Sequence, residues 1–139
     1  LFDRTEREGL LPVVFYGGGI KSADEFLKKM QNSILWILRY GDKHIGYVWL
    51  DHFEGKSARI HGCVFKEFRT QSVLIGKFVL SKLEQLFEVL IGIIPVWNTA
   101  AINFVTLCGG VKVGIVPKMI WNDYKQQSED AALVYYVKE

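Results

Sequence analysis

The spacing of apolar residues changes period several times along the chain, and each change marks an element. Ser22 is a favourable N-cap with Glu25 three residues on, a capping-box pattern, and Phe26, Leu27 and Met30 then share one helical face until Asn32 and Ser33 end it. The runs ILWILRY and HIGYVWLDHF follow, rich in β-branched and aromatic residues and divided by Gly41-Asp42, which predicts a hairpin. Glu54-Gly55-Lys56 is the next turn and SARIHGCVF a third strand. Over residues 72–87 the period becomes helical: Gly76, Val79, Leu80, Leu83, Leu86 and Phe87 fall on one face, and Lys77, Lys82 and Glu84 lie off it. Residues 89–94 are continuously apolar, as expected of a central strand buried on both sides, and Pro95 stops them. Asn98 can cap a helix over 99–108 that Gly109-Gly110 closes. VKVGIVPKMIW and ALVYYVKE read as two last strands joined by the polar stretch NDYKQQSED. The order is helix, three strands, helix, strand, helix, two strands, which is an α+β class.

Composition narrows this picture. The 139 residues are expected to form a single domain, 1–139, large enough to bury a core without disulfides or metals. Apolar residues make up 50% of the chain, which argues against disorder. No apolar run is long enough to span a bilayer, and the charged start LFDRTEREG shows no signal peptide, so no membrane partner and a cytoplasmic setting are expected. The chain begins at Leu1 rather than Met, so whether residues precede it stays open. A net charge of +2 on scattered residues gives no reason to expect nucleic acid. Cys63 and Cys108 do not make a disulfide framework, and a reduced setting is the simpler reading. His44, His52 and His61 have no metal-ligand spacing, so no metal is expected. Oligomeric state stays open, a homodimer included.

One segment is suited to chemistry. The strand, turn and helix over 63–80 would present unpaired N–H groups and a partial positive charge at the helix start, where a pyrophosphate binds readily. Arg69, Gln71, Ser72 and Gly76 are the polar or permissive residues there, and Arg69 and Lys77 add charge. An ordinary surface helix start has the same properties. Gly17, Gly18 and Gly19, followed by Ile20-Lys21-Ser22, lack the spacing of a phosphate-binding P-loop and read as a connector or as a flexible loop beside a substrate entrance.

Two motifs carry a resemblance. Gln71-Ser-Val-Leu74-Ile-Gly76 is similar to the Gln/Arg-x-x-Gly-x-Gly/Ala signature of the GNAT superfamily of acyl-CoA-dependent N-acyltransferases, with Leu74 in place of the first glycine. A register that starts at Arg69 puts Ser72 and Leu74 at the two small positions and fits less well. Asn98-Thr-Ala-Ala101-Ile-Asn-Phe104, leading to Gly109, resembles the Asn-x-x-Ala pattern that often follows the family's fifth strand. The strand-end proline and the later Gly-Ile-Val-Pro117 resemble uncharacterised, often phage-encoded, members. The likeness in element order covers roughly residues 22–139.

The resemblance implies a central mixed, mostly antiparallel sheet with flanking helices. It also implies that the family's fourth and fifth strands, the third and fourth here, splay apart. The cofactor would be acetyl-CoA or another acyl-CoA. The backbone of Cys63, Val64 and Phe65 would pair with its pantetheine arm. The amides of Gln71, Ser72, Val73, Leu74, Ile75 and Gly76, with Arg69 and Lys77, would hold its pyrophosphate, and Asn98 and Ala101 would touch it from the next helix. The implied reaction is direct attack by a primary amine, on a small molecule or a protein, with the enzyme positioning the reactants, removing a proton and stabilising the oxyanion. The tyrosine that many members use to protonate the leaving thiolate is replaced by Val105, and Thr106 and Cys108 are imperfect substitutes. His61 is the titratable group on the strand, and an ordinary imidazole, with pKa near ~6.5, suits a general base. Strand alternation turns it either to the site or to the opposite face. Trp97 lines an acceptor pocket or simply packs, while Trp36, Trp49, Tyr47 and Tyr135 belong to the core or sheet faces, and Cys63 acts as a small buried apolar residue. The changes at Leu74 and Val105 support two alternatives to the enzyme, a non-catalytic binding or assembly module and an acyl-CoA sensor.

Overall fold

The computed structural model describes residues 1–17 and 20–138, so Gly18 and Gly19 of the glycine run, and Glu139, lie outside the described residues. Helices α1 (Phe2–Arg7), α2 (Leu11–Val14) and α3 (Ala23–Gln31) precede strands β1 (Ile34–Tyr40), β2 (Lys43–Glu54) and β3 (Ser57–Val64). A 3-10 turn (Lys66–Gln71) leads into α4 (Ser72–Leu83), then β4 (Val89–Pro95), α5 (Thr99–Leu107), β5 (Val111–Asn122) and β6 (Gln127–Val137). From α3 onward this is the expected order. Ser22 caps α3, its Oγ accepting the Glu25 N–H at 3.2 Å.

Three boundaries differ from the sequence reading. The charged N-terminal stretch folds as α1, held by the i,i+4 pairs Arg4–Glu8 at 2.8 Å and Arg7–Asp3 at 3.2 Å, with Phe2 and Thr5 buried beneath. Helix α4 stops at Leu83 instead of running to 87; Leu86 is exposed, and Phe87 leaves the helix to stack on Phe53 with ring centres 6.1 Å apart. Most of the polar stretch 122–130 is strand, because Trp121 pairs with Ser128 and Asn122 with Gln127, leaving 123–126 as the turn. Cross-strand pairing there overrides a composition that reads as loop. Asn122 also makes the turn, its Oδ1 accepting the N–H groups of Tyr124 and Lys125, both at 3.0 Å.

The six strands form one sheet in the order β1-β2-β3-β4-β6-β5. Every neighbouring pair is antiparallel except β3–β4, which is parallel and pairs only at Ser57–Val89, Ala58–Leu90 and Arg59–Ile91. Beyond that point the two strands part. Strand β4 is therefore central, as expected, but Ile91, Gly92 and Ile93 are only half-buried, because one of its edges opens into a cleft.

Alternation along β2 builds a core on each face of the sheet. Tyr47 and Trp49 turn to one side, where Phe2, Phe15, Phe26 and Met30 of the N-terminal segment cover them together with Cys63 and Phe65. Val48 and Leu50 turn to the other and meet Val79 and Leu83 of α4, with Ala58 and Leu90. Tyr47 and Trp49 are fully buried and Trp36 and Tyr135 half-buried, as the strand patterns suggest. Among the described residues no helix is long and apolar enough to cross a membrane.

The β2–β3 contact is tight at Gly46, where an added Cβ would collide with the backbone of Cys63 and Val64. At Gly114 on β5 it would meet nothing within 4 Å. Gly46→Ala should therefore lose about 1–3 kcal/mol in urea denaturation, and Gly114→Ala should stay within about 0.5 kcal/mol of wild type. Equal effects at the two positions would contradict the packing described.

Candidate active site

The parting of β3 and β4 opens a cleft of about 420 Å³. Its β3 wall follows from strand alternation. The Phe65 N–H bonds the Ile45 carbonyl on the β2 side at 3.0 Å, so Cys63, two residues back, also turns its peptide groups to β2. Gly62 and Val64 are left turned to the cleft, and the Arg69 guanidinium reaches back to the Val64 carbonyl, Nε to O 3.3 Å. This alters the sequence expectation. Val64 has the orientation expected of a residue that pairs with a ligand, whereas Phe65 does not line the cleft. Phe65 is fully buried on the N-terminal side, with Arg4 stacked 4.2 Å over its ring. Cys63 lines the cleft and is buried, and burial pushes its thiol up to about 11. Gly62, which the motif search passed over, is a bare glycine on the cleft wall.

On the β4 wall, the Tyr16 hydroxyl donates to the Ile93 carbonyl at 2.9 Å. That carbonyl is an acceptor a continued β3–β4 ladder would use, so Tyr16 stands as a wedge between the strands. Burial pushes the Tyr16 phenol up to about 12, so it keeps its proton at neutral pH. Nothing in the sequence around Tyr16 singled it out. Gly17 beside it passes close to the other end of the chain, where an added Cβ would lie 2.9 Å from the Trp121 carbonyl.

The start of α4 lies at another end of the cleft. Gln71 is its N-cap residue and makes no side-chain capping bond, and the N–H of Ser72, the first helical residue, goes to the Arg69 carbonyl of the preceding turn. Arg69, Ser72, Ile75 and Gly76 line the cleft there. Gln71, Leu74 and Lys77 are exposed and do not, and the Val73 carbonyl is engaged by the Cys108 thiol at 3.7 Å. Gly76 serves packing between helices: a Cβ added to it would lie 2.6 Å from Cys108 Sγ and 2.8 Å from Phe104 Cζ. The bare face of this glycine is thus what lets α5 approach α4. At the start of α5, Asn98 Oδ1 accepts the Ala101 N–H at 3.2 Å, which leaves its amide NH₂ free to donate. Both residues line the cleft, as do the apolar Phe104 and Val105 of the same helix.

His61 also lines the cleft, on the face of the sheet covered by the N-terminal segment. It stacks on Trp49 with ring centres 4.8 Å apart, and its Nε2 lies 2.8 Å from Asp51 Oδ1. The same oxygen receives His52 Nδ1 at 2.8 Å, and Lys29 Nζ stands 3.7 Å from the other one. A left-handed residue in the β2 bulge, His52 with φ 50°, brings the second imidazole in. Burial raises the Asp51 carboxyl, but hydrogen bonds from His61 and His52 outweigh it and hold the group well below the usual carboxylate range. An ionised Asp51 can only accept, so Nε2 of His61 carries the proton and Nδ1 is the basic nitrogen of the neutral ring. Asp51 was readable in principle, as an acid two residues from Trp49 on the same strand face. Trp49 has a further property: its Nε1 is the one buried side-chain donor without a partner among the described residues, and the ring lines the cleft.

Trp97 is not a cleft-lining residue, although Pro95 and Asn98 on either side of it are. Its Nε1 donates to Glu129 Oε1 at 2.9 Å. Among the described residues no group of His, Cys, Asp and Glu side chains converges as a metal site.

No protein-family model matches the chain, and no curated protein matches it in sequence. Solved structures do. The spermidine N-acetyltransferase of Vibrio cholerae, in complex with CoA and spermine, aligns with a TM-score of 0.78 over 97% of this chain and 86% of that one, at 14% identity. A ribosomal-protein-alanine N-acetyltransferase from Brucella melitensis aligns with a TM-score of 0.71 over 99% and 93%, at 14% identity. A GNAT family acetyltransferase from Elizabethkingia anophelis with acetyl-CoA bound aligns with a TM-score of 0.65 over 91% and 88%, again at 14%. The fold is the GNAT fold. The α+β class read from the order of elements, and the mixed, mostly antiparallel sheet that the resemblance implies, are the architecture of the chain, and the cleft just described is the gap in that sheet.

Within this GNAT sheet the Asp51 cluster is the feature most open to a pH test. Its carboxyl is depressed on folding, so the stabilisation it gives is complete above the unfolded value of about 3.9. It is lost as pH falls through the lower folded value. Asp51→Asn should cost about 1–3 kcal/mol at pH 7 in urea unfolding, with the gap to wild type narrowing as the solution is acidified. A gap that stays constant on acidification would mean that the charge of Asp51 does not stabilise the fold.

Proposed function

We propose that the chain is an acyl-CoA-dependent N-acyltransferase that uses acetyl-CoA or a close relative and acts on a primary amine. The observation that carries this reading is a single continuous cleft that runs from the uncapped start of α4 to the paired His61 and Asp51. The donor set fits such a ligand. Val64 and Gly62 turn peptide groups toward the cleft, the first-turn amides of α4 and Arg69 suit a pyrophosphate, and Asn98 has an amide to spare. Two of the three neighbours named above hold CoA or acetyl-CoA, which supports the same choice.

When bound, the acyl-CoA supplies a thioester carbonyl open to attack by an amine. The chain's own work is to orient that carbonyl and to take a proton. His61 Nδ1 would accept the proton from the attacking amine nitrogen, Asp51 would hold the Nε2–H and stabilise the imidazolium, and the imidazolium would return that proton to the sulfur freed when the carbon–sulfur bond breaks. Trp49 Nε1–H is a buried donor without a partner on the same wall, suited to an oxygen of the bound reactants. Val105 offers no proton to the departing thiol, and that apolar wall favours a second reading, an acyl-CoA-binding protein without turnover.

Acetyl-CoA at ~100 times its dissociation constant should stabilise the fold by about 2.7 kcal/mol. Ser72→Glu places a carboxylate at the first residue of α4, which repels a pyrophosphate yet favours the helix start by about 0.3–1 kcal/mol. That variant should keep its stability and lose the response to acetyl-CoA, whereas Gly76→Glu would wedge α5 off α4 and report on packing. No stabilisation of the wild type by any acyl-CoA would sink both readings. With a competent amine, His61→Ala should lower kcat about 10²–10⁴-fold and leave the affinity for acetyl-CoA unchanged. Binding without turnover on any amine would leave the second reading.

A further inference from the structure

A carboxylate and an indole meet beside the cleft, just beyond the end of β4. Glu129 is a buried carboxylate, only 8% exposed, and its two oxygens are used unequally. Oε1 receives Trp97 Nε1 at 2.9 Å and Asn122 Nδ2 at 2.6 Å. Oε2 has only Gln127 Nε2 at 3.4 Å and Lys125 Nζ at 3.6 Å, both longer than a good charge-assisted hydrogen bond. Burial raises the Glu129 carboxyl, but the hydrogen bonds from Trp97, Asn122 and Gln127 outweigh it and keep the group ionised. A buried anion with one oxygen so loosely satisfied is an incomplete arrangement.

The other wall of this site is an indole face. Lys125 Nζ sits 4.4 Å from the centre of the Trp97 ring, so one ammonium on a flexible aliphatic stem is held between an aromatic face and a carboxylate. Lys125 itself is half-exposed and lies in the β5–β6 turn, so it can swing away into water. The turn is tied to the segment that carries Tyr16 into the cleft. Asp123 N–H bonds the Tyr16 carbonyl at 2.8 Å, Lys21 Nζ lies 2.8 Å from Asp123 Oδ2, and Tyr16 lines the cleft.

We propose that Trp97 and Glu129 form a subsite for the second ammonium group of a small aliphatic diamine, and that Lys125 is an internal occupant which that group displaces. The proposal rests on the acyltransferase reading for the first amine. Trp97 lies outside the cleft lining while its neighbours Pro95 and Asn98 lie within it, so a charge held there is the distal one and not the amine that reacts. The alkylammonium already in place shows the chemistry the site accepts, and its long contact to Oε2 leaves room for a closer one.

The test is equilibrium binding of 1,4-diaminobutane and butylamine by calorimetry, with no acyl donor present. The diamine should bind about tenfold more tightly. Lys125→Ala should tighten diamine binding several-fold further without changing butylamine, and Trp97→Leu or Glu129→Gln should reduce the diamine to the level of the monoamine. Lys125 is a surface residue, so its variant remains informative even where Trp97→Leu fails to fold. Equal binding of the two amines by wild type, or a Lys125→Ala variant that binds the diamine no better, overturns the proposal. Because no donor is present, a diamine preference in a protein that never transfers an acyl group would defeat the acyltransferase reading and keep the subsite. Turnover with no diamine preference would do the reverse.

Discussion

Strand β3 leaves β4 after three paired residues, and the rest of the molecule is arranged around that parting. Two neighbouring parallel strands would ordinarily continue their ladder, since unpaired backbone groups in an interior are costly. Here each strand is secured on its outer side, β3 by β2 and β4 by β6, while Tyr16 takes a β4 carbonyl and Arg69 a β3 carbonyl. Side chains thereby hold an exposed carbonyl on each edge of the gap, and Gly62 lines it with no side chain of its own. Helices α4 and α5 meet over the gap at Gly76, which sets their approach.

Most of this frame was legible in the sequence. Period changes gave α3 to α5 and all six strands in order, and the Asn98 cap formed as its residue type suggests. The missed parts share a cause. Helix α1 is stabilised by ion pairs and by burial of two residues, Phe2 and Thr5, too short a pattern for a hydrophobic period to reveal. The extension of β5 and β6 through polar residues follows from strand pairing, a non-local interaction. The site was legible where backbone makes it, at the start of α4 and along β3, and obscure where side chains converge from distant segments. His61 stood out as a titratable residue, but its partner Asp51 comes from the neighbouring strand, and Tyr16 and Glu129 reach the cleft region from opposite ends of the chain. Gly76 has a second part that its motif did not suggest, since its bare face lets a neighbouring helix approach.

The two carboxylates illustrate how burial and partners together assign roles. Asp51 and Glu129 are both withdrawn from water, and both stay ionised because neutral or cationic donors surround them. Asp51 spends its acceptors on imidazoles and so fixes a tautomer. Glu129 spends one oxygen on an indole and an amide, which orients Trp97, and leaves the other poorly matched. Equal chemistry thus fixes an imidazole in one place and leaves a loosely held carboxylate oxygen in another.

The clasp between Tyr16 and Asp123 has a consequence for how the protein is made. Contacts between the first and last elements have high sequence separation, and such contacts form late. During synthesis the N-terminal segment emerges first but finds its partner only after β5 and the turn beyond it have been translated. The start of α4 and the β2–β3 hairpin can assemble earlier. A nascent chain can therefore pack Phe15 and Ile20 against β2 and β3 well before synthesis ends, and the last contact to close is the one that ties Tyr16 to the β5–β6 turn.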